Sequence, residues 1–369
     1  MNFKTVAKGI LKSSKNKHDL ATAETTALAQ SKSKFSFKLY VLITTLLLGT
    51  VAGINWLVDP LWYRSGNIVT GKNFAFNERI TKSNVFLRTK EEINYDCVIL
   101  GSSRVIAMKV SNFQDNKCFN YGMKGGEIED FVDYAKFLKE VGLNPQKVYI
   151  GVDGLNFVAK ERKNREPFDI NQVATQSPLQ AYLSADVFMF SVMTLLGVSP
   201  DPGNYYDRNF EPVDFDNPPQ YRPDFYRPLP PQKCDLSIVK PFADLRTIFP
   251  NAEFIGYVPP RSAWSIVNDT YGRDLMDCYL QAFYQLSQVY DAMYDFSVPS
   301  EITKNPQHTF DGSHYSVKVN DKIAAIVQGK EPSFGLRVDN YDYEQYHQLY
   351  FGQIREFLAE NNQMQRWKK

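Results

Sequence analysis

Along the chain, hydrophobic positions fall into three kinds of run. One uninterrupted stretch, Leu39 to Val58 (LYVLITTLLLGTVAGINWLV), holds 20 residues without a charge. At a 1.5 Å rise per residue, that length matches a hydrocarbon core of about 30 Å. From Tyr95 onward, short apolar runs predict buried strands at 96–101, 117–122, 147–152, 252–258 and 293–298. Helical spacing appears between them. Ile128, Phe131, Val132, Tyr134, Ala135 and Leu138 share one face over Glu127 to Val141, and Gly142 follows as a stop. Further helices are expected at 236–248, 271–290, 316–327 and 341–360. Strands alternating with helices predict an α/β domain whose parallel sheet is covered on both faces.

This alternation divides the chain: 1–38 a basic tail, 39–58 an anchor, 59–94 a linker, 95–330 the α/β domain and 331–369 a helical extension. The domain carries an insertion at 156–233, with 11 of the 20 prolines and many Tyr, Phe and Arg residues. Structureless loops of that length in compact domains serve as lids or binding surfaces. Val187 to Val198 is apolar but too short to span a bilayer, and reads as a buried or interfacial helix.

Charge sharpens the division. The net charge of +1 excludes a globally basic nucleic-acid binder. Residues 1–38 carry eight Lys against Asp19 and Glu24, a net of +6, so the remainder sums to 1 − 6 = −5. With Lys32, Lys34 and Lys38 before the apolar stretch and Asp59 after it, the positive-inside bias puts the N-terminus in the cytoplasm and the rest outside. The long basic segment and the poor cleavage sequence Thr50-Val51-Ala52 favour an uncleaved anchor over a signal peptide. Cys97, Cys118, Cys234 and Cys278 lack metal-site spacing. Four buried small hydrophobes is the plainer expectation, and an oxidising compartment admits one or two disulfides.

Ligands of such sheets bind outside the carboxyl ends of the strands. After the first strand stands Gly101-Ser102-Ser103-Arg104, a hydroxyl at a strand-to-helix turn. That position suits a nucleophile beside backbone N–H donors, or a helix cap. After the second comes Asn120-Tyr121-Gly122-Met123-Lys124-Gly125-Gly126, whose glycines allow close backbone approach or simply form a turn. After the fifth comes Asp311-Gly312-Ser313-His314, a carboxylate three residues before an imidazole. It can accept the Nδ1 proton and aim Nε2 at a nucleophile.

In order and placement these blocks resemble those of the SGNH hydrolase superfamily: Gly-x-Ser, Asn-x-Gly-x-x-Gly, Gly-x-Asn and a late Asp-x-x-His. The resemblance implies a flavodoxin-like three-layer fold over about Tyr95 to Gln328. It implies Ser103 as nucleophile with Ser102 as fallback, His314 as base, Asp311 as its orienting carboxylate, and the N–H groups of Ser103 and Gly122 as oxyanion hole. The third block departs: Gly151-Val152-Asp153 places Asp153 where the family has an oxyanion-stabilising Asn, and an ionised carboxylate there would repel an oxyanion. The Gly-Ser-Ser-Arg form and the anchor look more like the branch containing the teichoic acid D-alanyl transfer protein and the alginate O-acetylation proteins. That branch implies acyl transfer or removal on a cell-surface polysaccharide, alongside a multi-span membrane-bound O-acyltransferase, with no cofactor, metal or nucleic acid. The alternative is a catalytically silent glycan-binding or scaffold subunit, which Asp153 favours. In the insertion, Tyr221, Arg222, Tyr226 and Arg227 suit an acidic glycan by stacking and ion pairing, or else pack against the sheet.

Overall fold

The computed structural model describes residues 35–160, 177–199, 205–214, 219–226, 229–330 and 333–367. Its first element, α1 (Phe35–Val58), has 24 residues, long and apolar enough to cross a membrane. Only 11% of its most apolar window is buried, which separates it from a core helix.

Among the described residues the strands are β1 (Lys72–Phe74), β2 (Cys97–Leu100), β3 (Cys118–Asn120), β4 (Lys147–Gly151), β5 (Tyr205–Asp207), β6 (Glu253–Val258), β7 (Ala292–Asp295) and β8 (Leu336–Arg337). Six form one sheet in the order β3-β2-β4-β6-β7-β8. The first five run parallel, and β8 joins antiparallel to β7. This is a doubly wound order, with the chain reversing direction across the sheet at β2. Alternation along each strand sorts side chains between two cores. Val98, Leu100, Val148 and Ile150 face one, while Cys97, Ile99 and Tyr149 face the other. The expected mixed α/β fold with a mostly parallel sheet is what the chain adopts.

The major helices after α1 are α2 (Glu78–Ile93), α3 (Ile128–Glu140), α4 (Ala185–Leu196), α5 (Val239–Ile248), α6 (Met276–Ser287), α7 (Val317–Val327) and α8 (Tyr343–Glu360). Residues from α2, α3, α5, α6 and α8 fill the first core, and α7 covers the second. Local chemistry sets their ends. Asn77 caps α2 by accepting from Ile80 N, and left-handed Asn94 closes it. Reciprocal capping boxes start α3 (Glu127 with Asp130) and α8 (Asp342 with Gln345).

Several boundaries differ from the sequence reading. Residues 59–94 are not a linker, because α2 buries Val85 and Phe86 in the main core. The described part of the insertion holds α4 and β5, and β5 pairs with β1. The region 331–369 is no appendage: β8 extends the sheet, and α8 and Trp367 are built into the core. The helix expected from Tyr271 starts only at Met276, after a wide turn at Ile266–Thr270 and a tight one at Tyr271–Arg273. All four cysteines are paired, against the expectation of buried thiols. Cys97–Cys118 joins register partners on β2 and β3, and Cys234–Cys278 ties the end of the insertion to α6.

Candidate active site

The parallel strands deliver their following loops to one sheet edge. After β2, Ser102 caps a single tight turn, Ser103–Val105, accepting from Arg104 N at 3.3 Å. This turn stands because its next side chain, Val105, plugs a cradle made by three glycines. A Cβ on Gly101, Gly122 or Gly151 would lie 2.6, 2.4 or 2.3 Å from a Val105 methyl carbon. The glycines of three motif blocks therefore make room for a fully buried valine rather than for a ligand. Asn120 fastens the same segment. Its Nδ2 donates to the carbonyls of Val105 and Met108, both at 2.9 Å, and its Oδ1 accepts Gly122 N at 2.8 Å.

The loop after β7 returns to this edge with Asp311 and His314. Gly312 sits at φ +85° with Tyr221 Oη against its missing side chain, which requires glycine there. Thr309 Oγ1 accepts Gly312 N and donates to the His314 carbonyl, and Ser262 N donates to the Gly312 carbonyl. The turn thus stapled presents a chain of polar contacts. Asp311 Oδ2 lies 2.8 Å from His314 Nδ1, and His314 Nε2 lies 2.8 Å from Ser103 Oγ. Asp311 Oδ1 also accepts the backbone N–H groups of Ser313 and His314. Burial works against the Asp311 charge, but the His314 ring and these N–H groups prevail and lower its pKa to about 2. Such a relay can carry a proton from a hydroxyl to an imidazole.

Ser102 points elsewhere. Its hydroxyl donates to Asp153 Oδ2, and Arg104 Nη2 pairs with Asp153 Oδ1 at 2.7 Å, both charged side chains being buried. Burial pushes the Arg104 pKa down while Asp153 pulls it up. This revises the expectation that Asp153 would repel an oxyanion, because its charge is neutralised beneath the turn that carries Ser103. A second Gly-x-Asn run follows at Gly154-Leu155-Asn156, but the Asn156 amide is spent on the Asp153 carbonyl and Ile128 N. Gly122 N–H, expected to face an oxyanion, donates to Asn120 instead.

Sequence reasoning overlooked three contributors. Arg104 stood in the quoted motif without a role. Lys82, fully buried on α2, donates through Nζ to the Gly122 carbonyl from a segment read as linker. Arg261 follows β6 on the same edge and pairs with Asp269 at 2.9 Å. A lone Lys or Arg gives no periodic signal that could mark it. Of the four insertion residues, Tyr221 reaches this edge, sharing a hydrogen bond with Ser262 Oγ at 2.9 Å. Arg222 and Tyr226 are exposed, Tyr226 being held through its backbone N–H by Asn268, and Arg227 lies outside the described residues. Among the described residues, no three His, Cys, Asp or Glu side chains are grouped to hold a metal ion.

No family model and no curated protein matches this chain. Among solved structures it is similar to a candidate acylhydrolase from Bacteroides fragilis, with a TM-score of 0.34 and 12% identity over 66% of this chain and 92% of that one. It is likewise similar to the lipase/acylhydrolase from Enterococcus faecalis, with a TM-score of 0.33 and 11% identity over 63% and 93%.

Proposed function

We propose that the protein is a membrane-anchored, SGNH-type serine acyltransferase or esterase that acts outside the cytoplasm on acyl groups of a cell-surface or secreted polysaccharide. The observation that carries this reading is the unbroken relay from Asp311 through His314 to Ser103, with 2.8 Å at each link. His314 takes the Oγ proton as Ser103 attacks the carbonyl carbon of an acyl ester or thioester. The proton passes to the departing alkoxide or thiolate, leaving an ester on Ser103. Water or a sugar hydroxyl then yields its proton to His314, attacks that ester and restores the serine. Asp311 keeps the ring proton on Nδ1 and stabilises the transient imidazolium. Ser103 N–H is the donor assigned to the oxyanion, and Gly122 N–H joins it only by sharing or leaving its bond to Asn120. Arg104 matters electrostatically, because it cancels the nearby Asp153 charge.

Three features support the placement. The uncharged stretch Leu39–Val58 of α1 is preceded by eight lysines and followed by Asp59, an asymmetry that favours a cytoplasmic N-terminus. Both disulfides suit an oxidising compartment. The motif resemblance to the D-alanyl transfer and alginate O-acetylation proteins supplies the polysaccharide acceptor and a multi-span O-acyltransferase partner. In the purified full-length protein, a fluorophosphonate should label Ser103, and Ser103→Ala should lower ester turnover by roughly 10³-fold or more. Full turnover in that variant would sink the assignment. The commitment of Gly122 N–H to Asn120 favours the second reading, a silent glycan-binding or scaffold subunit. That subunit would resist the fluorophosphonate and bind glycan equally well with Ser103→Ala.

A further inference from the structure

Helix α4 is built inside out. The positions it turns toward the rest of the protein are Val187, Ser191 and Thr194, two of them hydroxyls, while Met189 and Leu196 are 53% and 72% exposed. A helix on a water-facing surface distributes its residues the other way round. The flanks continue the apolar surface: Leu179 and Leu183 are exposed before it, Val198 after it. An apolar surface this continuous marks a site of association.

What lies against it follows from where it is fastened. Asn55, fully buried near the carboxyl end of α1, donates through Nδ2 to the carbonyls of Tyr182 and Ser184, at 2.9 and 3.2 Å. Its Oδ1 accepts the hydroxyl of Ser191 at 2.9 Å. A second clamp sits one turn on, where Asp59 accepts the Tyr182 hydroxyl and the N–H groups of Tyr63, Arg64 and Gly66. The hydroxyls on the inner face of α4 are therefore spent on this junction, Ser191 on Asn55 and Thr194 on Asn73 Oδ1, and its apolar face is held beside the carboxyl end of α1. At that same end the Arg64 guanidinium stacks 3.8 Å from the ring of Trp56, an aromatic and cationic pair suited to the headgroup level. Ile68 and Val69, also exposed, follow directly, tied by Ile68 N to the Leu57 carbonyl.

We infer that α4 and the turn before it form a second membrane contact, seated in the boundary between headgroups and acyl chains around the exit of α1. The inference rests on the reading of α1 as a membrane anchor. Its effect is to replace a free tether by a fixed footing, since α4 and α1 share hydrogen bonds. The occupant is lipid rather than protein because the segment is hydrogen-bonded to the carboxyl end of α1, the helix that this reading places in the bilayer.

The test uses full-length protein in phosphatidylcholine vesicles doped with a phosphatidylcholine whose acyl chain bears a diazirine. After photolysis, adducts are mapped by peptide mass spectrometry. Adducts on both α1 and the 179–198 segment are expected. Leu195→Glu with Leu196→Glu, both at exposed positions, should cut the 179–198 adducts at least tenfold relative to those on α1. Adducts on α1 alone, or an unchanged ratio in the double variant, would overturn the inference and leave the anchor standing. Absence of adducts from both would overturn the two together. Labelling of 179–198 in pure vesicles that disappears in cell membranes would assign this face to a protein partner and refute the lipid contact.

Discussion

The cradle around Val105 makes a sharp prediction, because one added methyl meets one obstacle. A Cβ built on Gly151 lies 2.3 Å from Val105 Cγ1, while Val105 Cβ and Pro259 Cγ stand at 3.7 Å. Carbon atoms pack best at roughly 3.5–4.0 Å, so the overlap is about 1.2–1.7 Å and confined to Cγ1. Gly151→Ala should therefore destabilise by about 1–3 kcal/mol, the range for overpacking a filled core. Val105→Ala deletes two fully buried methyls and should cost about 2–3 kcal/mol, from lost burial and the cavity left behind. Combined, the changes compensate, since the new methyl enters the space Cγ1 vacates. The double variant should lie at least about 2 kcal/mol above the sum of the single effects, far outside the roughly 0.5 kcal/mol scatter of independent sites. Urea unfolding of the four proteins, followed by tryptophan fluorescence and near-ultraviolet circular dichroism, measures this coupling. Ester turnover should fall in Gly151→Ala, because Val105 belongs to the turn that bears Ser103, and should recover in the double variant. Additive destabilisation would refute the cradle as the reason for these glycines.

Further predictions concern charge. Arg104→Gln leaves the buried Asp153 carboxylate without its cation and should destabilise by about 3–5 kcal/mol, whereas adding Asp153→Asn should restore most of that; urea midpoints of the three proteins decide. Asp311 has a folded pKa of about 2 against an ordinary 3.8, so its contribution is complete above the ordinary value and fades as pH falls toward 2. The difference in melting temperature between wild type and Asp311→Asn should accordingly be flat above about pH 5 and shrink in acid. Burial lowers Lys82 to about 8 from 10.5, against the pull of Glu78, so between these values the unfolded chain holds more protons and stability rises with pH. Relative to Lys82→Met, wild type should gain stability across that interval, and a flat or falling difference would refute it.

Much of this architecture is readable from sequence because burial on both faces leaves a plain mark. The central strands are continuous apolar runs, since each is covered by helices on one side and α7 on the other. That α1 is long and apolar enough to cross a membrane is legible from its length and lack of charge alone. Ser103, Asp311 and His314 can be named from spacing within short segments, and the structure brings their side chains to within 2.8 Å of one another in series. What sequence left open depends on which distant segments meet. Strands of two or three residues, such as β1, β5 and β8, are too short to show a period and exist only because a partner strand lies beside them. Lys82 belongs to the core of this site through a carbonyl 40 residues away, which no local pattern encodes. The clearest case is Asp153. Judged by its residue type it would repel an oxyanion, but 2.7 Å from Arg104 it becomes half of a buried ion pair. A carboxylate's effect on its surroundings is set by the charge beside it and the water excluded around it, and both are decided only when β2 and β4 align in the folded sheet.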